Sequence, residues 1–208
     1  MDDLEEYIAS CCTAEDPYLH RLWRATQTHL LYPRMASGHV QGRLLRLLVQ
    51  LTGARRVLEI GTFSGYSALA MASGMTEGGV IDTYEINDEQ EAFTRPWLEG
   101  SPFPGRVNMI IGDALKILPT DGEPYDLVFI DADKRRYSDY YERVLPRLKT
   151  GGLLLADNTL WSGHVLESGR HDAQTEGIRA FNALLAHDER VDVVLLPLRD
   201  GLTAARKR

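Results

Sequence analysis

Cysteine is scarce in this chain of 208 residues, which contains only Cys11 and Cys12. Two adjacent cysteines cannot cross-link distant parts of a fold, and there is no third cysteine for a zinc knuckle. The chain also lacks the run of about 20 apolar residues that a membrane span requires. Positive charge is in deficit, with 23 Lys and Arg against 30 Asp and Glu. These absences exclude a disulfide-stapled fold and a membrane protein, and they make nucleic acid an unlikely partner.

The N-terminal sequence, MDDLEE, is acidic, which is the wrong charge for a secretory or mitochondrial leader. We therefore expect a cytoplasmic protein. With 44% hydrophobic and 25% charged residues, a chain of this length is expected to fold as one domain spanning residues 1–208.

Apolar runs that favour β-structure alternate with segments of helical period along the chain. Strands are predicted at residues 56–60, 80–85, 107–111, 125–131, 153–157 and 191–198, with a closing strand at 202–206 after a tight turn. Helices are predicted at residues 17–31, 40–51, 64–73, 88–98, 114–118, 137–148 and 175–187. The order predicts an α/β fold with a mostly parallel sheet and helices on both faces. The last strand is expected to pair antiparallel with the strand before it, because too few residues separate them for a crossover.

The second predicted helix has an apolar stripe, formed by Val40, Leu44, Leu47, Leu48 and Leu51. A stripe of this period is typical of a helix that packs on the core. We therefore expect these side chains to be buried.

A glycine-containing turn, EIGTFSGYS, follows the first predicted strand. It lacks the second and third glycines of a dinucleotide fingerprint, because Phe63 and Tyr66 occupy those positions, so a ligand with few phosphates fits better. The second strand ends at Glu85, whose carboxylate can accept both hydroxyls of a ribose. Together the glycine-containing turn and Glu85 predict a site for a nucleoside. The alternative is that the glycines only shape a turn and Glu85 caps the next helix.

Acidic residues also follow the third, fourth and fifth predicted strands. Asp113 is either an N-cap or a contact to adenine. If the fourth and fifth strands are neighbours, their ends lie about 4.8 Å apart, and Asp131, Asp157 and the amide oxygen of Asn158 can converge on one point. Such an all-oxygen set suits Mg²⁺, Mn²⁺ or Ca²⁺. The alternative is that each acid only caps a helix or forms a turn.

The chain resembles the cation-dependent O-methyltransferases, the caffeoyl-CoA and catechol O-methyltransferase-like family, which uses S-adenosylmethionine (SAM). The resemblance spans about residues 35–206 and includes Met35 and Gly42. It is carried by four motifs in order: VLEIGTFSGYS at 57–67, FIDADK at 129–134, DNTLWSG at 157–163 and LPLRDGL at 196–202. The resemblance implies a Rossmann-like core in residues 54–208, with a seven-stranded sheet, and extra N-terminal helices in residues 1–53 that cover the site. It also implies a homodimer.

Site residues follow from the resemblance by position. It implies that the cofactor contacts are Met35, Glu59, Gly61, Phe63, Ser67, Glu85, Asp113, Ala114 and Asp131. The implied metal ligands are Asp131, Asp157 and Asn158, and the catalytic residues are Lys134, as base, and Asp131. Contacts to the acceptor are assigned to His39, Trp161, Arg199 and Asp200. An exposed, solvated lysine is the alternative for Lys134.

A small catechol-like or phenolic acceptor is the leading hypothesis, because a vicinal diol can chelate a cation and Trp161 can stack on its ring. Two alternatives stay open. One is methylation of a hydroxylated uridine in transfer RNA, for which Arg135, Arg136, Arg170 and Arg199 would form a basic patch. The other is a nucleoside-binding module without catalytic activity.

Departures from the family pattern lie at the acceptor side. Residues 36–41 lack the acids that many relatives carry, and Arg199 replaces a glycine. Arg199 either binds an anionic group of the acceptor or pairs with a surface acid. His164 and His171 either touch the acceptor or are exposed loop residues.

Overall fold

The computed structural model describes residues 3–208, so that Met1 and Asp2 of the acidic N-terminus lie outside the described residues. The helices are α1 (Asp3–Ser10), α2 (Pro17–His29), α3 (Gly38–Thr52), α4 (Tyr66–Ala72), α5 (Glu91–Glu99), α6 (Ala114–Ile117), α7 (Tyr137–Val144) and α8 (Ala173–Ala186). The strands are β1 (Arg56–Ile60), β2 (Val80–Glu85), β3 (Arg106–Ile111), β4 (Tyr125–Ile130), β5 (Leu148–Asp157), β6 (Val191–Leu196) and β7 (Leu202–Lys207). No helix within residues 3–208 is long and apolar enough to cross a membrane.

The seven strands follow the order β3-β2-β1-β4-β5-β7-β6 in one sheet. Strand β1 pairs parallel with β4, β4 with β5, and β2 with β3. Strand β7 pairs antiparallel with both β5 and β6. The predicted α/β fold, the antiparallel last strand and the adjacency of the fourth and fifth strands are confirmed.

Contacts between Cα atoms group the chain into two compact units. Among the described residues, the first contains 3–55 together with Thr62–Ile111, and the second contains Arg56–Gly61 together with Gly112–Arg208. The expected single domain, with its division after residue 53, stays a prediction.

The apolar stripe predicted for the core face of α3, in the first unit, is wrong. Leu47 is 52% exposed and Leu51 is 80% exposed, whereas the buried residues of α3 are Gln41, Gly42, Leu45 and Val49. Helix α3 packs on α4 through its small residue, because a Cβ on Gly42 would lie 2.9 Å from Cε1 of Tyr66. Close approach of the two helices therefore selects the glycine face, and the leucine-rich face is left at the surface.

In the second unit the helix predicted at residues 137–148 is shorter than expected. Helix α7 ends at Val144, a 3-10 turn covers Leu145–Arg147, and β5 begins at Leu148 rather than at residue 153. Pro146 explains the stop, because proline has no backbone N–H for the helical hydrogen bond to the carbonyl four residues earlier and its ring clashes with that carbonyl. The interior of this unit includes the ring of Phe181 on α8, which packs edge-on against Tyr137 at 5.4 Å between centroids.

Candidate active site

The turn after β1 requires glycine. Gly61 has φ 102°, and a Cβ at this position would lie 1.9 Å from the carbonyl oxygen of Asp131. The backbone N–H of Asp131 donates to the carbonyl oxygen of Ile60 at 2.9 Å, so the ends of β1 and β4 are joined here. Glu59 is fully buried in β1. The backbone at Gly61 is therefore held against the residue that begins the predicted metal and base site.

Glu85 organises the glycine turn within the first unit. Its carboxylate accepts the backbone N–H of Phe63 at 2.8 Å and that of Asn87 at 2.9 Å, and the carbonyl oxygen of Phe63 accepts the hydroxyl of Thr94 at 2.6 Å. Phe63 has a left-handed backbone, with φ 46°. Because each carboxylate oxygen can accept two hydrogen bonds, Glu85 keeps capacity for hydroxyl donors. The predicted ribose contact is compatible with this arrangement.

A buried hydroxyl on the same turn lacks a partner. Ser64 is 1% exposed, and its Oγ has no hydrogen-bond partner within the part of the chain that the structure describes. Unpaired buried polar atoms are uncommon in native proteins and point to a ligand or an ordered water. Ser67 is also buried, on α4. These polar groups fit a cofactor that offers hydrogen-bonding groups to this turn.

Met35 and His39, predicted to face the cofactor and the acceptor, lie near the start of α3. Met35 ends a 3-10 turn, Pro33–Met35, and is 56% exposed. His39 donates from Nε2 to the carbonyl oxygen of Thr13 at 2.8 Å. The ring of His39 therefore ties α3 to the connection between α1 and α2, and its role toward an acceptor stays a prediction.

Asp113 is an N-cap, one of the two roles considered for it. Its Oδ1 accepts the backbone N–H of Leu115 at 3.0 Å at the start of α6, and its Oδ2 accepts from Nη1 of Arg136 at 3.1 Å. Ala114 is buried in the first turn of this helix. A contact from Asp113 and Ala114 to adenine stays a prediction.

Lys134 is buried and not, as the alternative had it, an exposed lysine. Only 7% of the residue is exposed, and its Nζ donates to Oδ1 of Asp131 at 2.7 Å and to the hydroxyl oxygen of Tyr137 at 2.7 Å. A buried ammonium group requires such partners, because an unpaired charge is costly away from water. The FIDADK motif therefore places a paired lysine directly after the end of β4.

Tyr137 is a site residue that the sequence analysis missed. Its fully buried hydroxyl donates to the backbone carbonyl oxygen of Asp157 at 2.9 Å, which links Lys134 to the end of β5. Burial, and then the charges of Asp131 and Asp157, raise the pKa of Tyr137 well above its ordinary value, so the hydroxyl stays protonated. The available signal was spacing, because Asp131, Lys134 and Tyr137 stand three residues apart.

The predicted metal ligands follow paired residues of two adjacent strands. Ile130 of β4 and Ala156 of β5 are register partners, and Asp131 and Asp157 come next. Asp157 is 2% exposed, and its Oδ1 accepts the backbone N–H of Asn158 at 2.9 Å. Asn158 has φ 59°, a left-handed conformation that asparagine tolerates better than most residues.

The chemistry of this donor set fits a hard divalent cation, because two carboxylates and an amide supply only oxygen. Among residues 6–208, whose side chains the structure describes, no group of three or more His, Cys, Asp or Glu side chains is placed to hold a metal ion. The predicted set contains only two residues of those types, and its third donor is the Asn158 amide. Occupancy by a cation therefore stays a prediction.

The loop after β5 is fixed by the turn that precedes β7. The backbone carbonyl of Asp200 accepts the N–H of Leu160 at 2.9 Å, its side chain accepts the N–H of Ser162, and the carbonyl of Gly201 accepts the N–H of Thr159 at 3.1 Å. Besides Asn158, three non-glycine residues here have left-handed backbones: Trp161 with φ 49°, Ser162 with φ 53° and Arg199 with φ 50°. Strained backbone of this kind clusters at functional sites. Trp161, Arg199 and Asp200, the predicted acceptor contacts, thus belong to one connected structure.

The basic side chains considered for an RNA-binding patch are largely paired with acids. Arg135 forms an ion pair with Asp133 at 2.6 Å, Arg136 with Asp113 at 3.1 Å and Arg170 with Asp172 at 2.7 Å. His164 bonds to Glu167 at 2.8 Å, and His171 bonds to Glu176 at 2.9 Å. Local carboxylates therefore reduce the positive charge that these residues offer to phosphate groups.

Comparisons with known proteins agree on one family. The family model described as O-methyltransferase matches residues 9–208. Caffeoyl-CoA O-methyltransferase 1 of Zea mays is 33% identical over 220 residues, which cover 99% of this chain and 85% of that protein. Catechol O-methyltransferase domain-containing protein 1 of Mus musculus is 34% identical, covering 98% of this chain and 79% of its own length. The O-methyltransferase TomG from Streptomyces achromogenes, solved in complex with SAM, is 31% identical with a TM-score of 0.89, covering 98% of this chain and 95% of that chain.

Proposed function

The chain belongs to the O-methyltransferase family, and from this premise we propose that it transfers the methyl group of SAM to a hydroxyl of a small catechol-like or phenolic acceptor with the help of a divalent cation. The observation that carries the proposal is Lys134, which is buried between Asp131 and the Tyr137 hydroxyl beside the paired ends of β4 and β5. Caffeoyl-CoA and catechol O-methyltransferase-type relatives support the acceptor class. The cytoplasmic location expected from the sequence stays a prediction.

We assign the cofactor to the turn and strand ends described above. SAM supplies a sulfonium-bound methyl group. Glu85 accepts hydroxyl donors while it holds the backbone of Phe63, and the unpaired Ser64 hydroxyl adds a further polar contact. Met35, Glu59, Gly61, Ser67, Asp113, Ala114 and Asp131 complete the proposed set. The family resemblance and the SAM complex of TomG support this assignment.

Asp131, Asp157 and Asn158 would hold the cation, with Mg²⁺ preferred over Mn²⁺ or Ca²⁺. When bound, such a cation lowers the pKa of an acceptor hydroxyl. Lys134 takes the hydroxyl proton as the neutral amine, whose lone pair on Nζ accepts it while the two N–H bonds donate to Asp131 and the Tyr137 hydroxyl, and the ammonium group so formed can relay the proton onward. Methyl transfer is a direct displacement, so the main task of the protein is alignment of the reacting atoms. Trp161 and Asp200 border the acceptor in this proposal, with His39 and Arg199.

The two alternative functions receive less support. Pairing of Arg135, Arg136 and Arg170 with acids weakens the basic patch that a transfer RNA substrate needs. A nucleoside-binding module has no need for a buried lysine paired with an acid and a tyrosine.

An acceptor panel tests the proposal. Methyl transfer from labelled SAM is measured with Mg²⁺ for a 3,4-dihydroxyphenyl compound, its 4-hydroxyphenyl analogue and unmodified and hydroxyuridine-containing transfer RNA. We expect transfer to the diol, and at least tenfold less to the monophenol, because one good hydrogen-bonding or ligating oxygen is worth about 1.4 kcal/mol or more. Preferred methylation of transfer RNA would support the alternative enzyme, and transfer to none of them would contradict the proposal.

We also propose that the protein is a homodimer, as the family resemblance implies. Exposed apolar side chains of the first unit support this, in particular Leu47 and Leu51 on α3 and Leu4 and Tyr7 on α1. Such a surface is typical of a protein interface. Analytical ultracentrifugation is expected to give a dimer for the wild type and a monomer for Leu51→Glu. The matched control is Leu166→Glu, at a position that is 86% exposed, and a monomeric wild type would contradict the proposal.

A further inference from the structure

One arginine on α8, Arg179, uses most of its guanidinium donors to hold the loop that follows β5. The Nε of Arg179 donates to the carbonyl oxygen of Val165 at 3.1 Å. One terminal nitrogen donates to the carbonyl of Arg170 and to the Glu176 carboxylate, both at 2.7 Å. The other donates to the carbonyls of His164 at 3.1 Å and Glu167 at 2.5 Å. All five N–H donors of the group are therefore engaged, four of them by backbone carbonyls of a single loop.

We define residues 158–172 as the acceptor loop. Its first part is fixed by Asp200 and Gly201, as described above, and by Asn182 on α8, whose amide donates to the carbonyl of Thr159 at 2.8 Å. Its second part contains the four carbonyls bound by Arg179. Trp161 and Ser162, with left-handed backbones, lie where the two parts meet, because Asp200 accepts the N–H of Ser162 and the carbonyls bound by Arg179 begin at His164. The conformation of these residues thus depends on contacts at both ends of the loop.

Helix α8 also packs on the turn that contains Lys134. A Cβ on Gly177 would lie 2.4 Å from the carbonyl oxygen of Lys134 and 2.7 Å from the Cα of Arg135. The helix that holds the acceptor loop therefore contacts the backbone of the proposed base. Helix α8 therefore sets the positions of both the acceptor loop and Lys134.

We propose that Arg179 is a positioning residue that fixes the acceptor loop and thereby determines affinity for the acceptor. The inference rests on the proposed function, in which Trp161 and Asn158 of this loop face the acceptor and the cation. Arg179 acts only through the loop backbone and contacts neither acceptor nor cofactor itself. A lysine at this position keeps the charge but cannot replace the five-donor fork, because its three donors share one nitrogen.

The test compares Arg179→Lys with the matched control Arg190→Lys. Arg190 also forms a forked contact in the second unit, but its partners, Asp188 and Glu142, lie outside the acceptor loop. For Arg179→Lys we expect the KM for the diol acceptor to rise on the order of tenfold or more, because a loosened loop must then be ordered when the acceptor binds, and that loss of conformational entropy weakens binding. The KM of Arg179→Lys for SAM should stay within about twofold of the wild-type value. For Arg190→Lys, the KM for the acceptor and the KM for SAM should both stay within that range.

Amide hydrogen exchange provides a readout that does not need activity. We expect faster exchange of residues 160–172 in Arg179→Lys, with the strands β4 and β5 unchanged. An unchanged acceptor KM, or an equal rise in both KM values with faster exchange throughout the chain, would overturn the inference. If the wild type transfers no methyl group, the proposed function fails, and exchange unchanged in the loop would then also reject the role of Arg179.

Discussion

Replacement of Lys134 by methionine is expected to lower kcat for methyl transfer by about 10²–10⁴-fold, the usual contribution of a general acid or base. The Nζ of Lys134 is held by two oxygens at 2.7 Å, so the neutral amine has a defined position from which its lone pair accepts the hydroxyl proton. Methionine keeps most of the length and the apolar stem and removes the nitrogen. The KM for SAM should change little, because Lys134 is not among the proposed cofactor contacts.

The stability of Lys134→Met has to be measured beside its activity, because the variant leaves the Asp131 carboxylate without the ammonium group that pairs with it. Loss of one partner of a buried ion pair costs about 3–5 kcal/mol, and Asp131 is partly accessible, so a smaller loss is expected. Lys149→Met is the matched control, since Lys149 also pairs with an aspartate, Asp126, at 2.6 Å, but on an exposed part of β5. A folded Lys134→Met protein with wild-type kcat would reject the role of the lysine as base.

The fold could be predicted well because runs of consecutive apolar residues mark strands at the centre of the sheet, as in β4. Residues 127–130 are all completely buried, and such runs are typical of strands covered on both faces. The start of β5 was missed because Lys149, Thr150 and two glycines interrupt the pattern before residue 153, although the strand already pairs there with Tyr125. The face of α3 was predicted wrongly because leucines occupy more than one side of the helix, and the close packing at Gly42 was not visible in the pattern.

The placement of the candidate site could also be predicted, because ligands of open α/β sheets bind beyond the carboxyl ends of the strands. That rule identified Asp131, Asp157 and Glu85 as residues directly after or at the ends of β4, β5 and β2. Tyr137 and Arg179 were missed because they donate mainly to backbone carbonyls. Every residue carries a carbonyl, so such a partner leaves no signal in the sequence. The sequence therefore indicates which side chains meet at the strand ends, and gives little information on those that hold the loops around them.

Asp157→Ala, which removes the carboxylate, is expected to reduce methyl transfer by about 10²–10³-fold, and chelation by EDTA is expected to do the same to the wild type. A cation that polarises a reacting oxygen contributes several kcal/mol to the rate, and each 1.36 kcal/mol corresponds to a factor of ten. Asp157 is 2% exposed and accepts the N–H of Asn158, so its removal disturbs two of the three proposed ligands at once. Asp157→Asn tests the charge alone, because the amide keeps the size and an oxygen acceptor.

Binding of Mn²⁺, followed by calorimetry on the protein without substrate, separates the cation from the chemistry. We expect binding by the wild type and by the control Asp192→Ala, whose carboxylate pairs with Arg208 at the surface, and at least tenfold weaker binding by both Asp157 variants. Activity should return when excess Mg²⁺ is added after EDTA. Full activity in EDTA together with unchanged Mn²⁺ binding by Asp157→Asn would contradict the cation site. Asp131 and Asp157 would then serve only to fix Lys134 and the loop, and the acceptor hydroxyl would lose its proton to Lys134 without a cation.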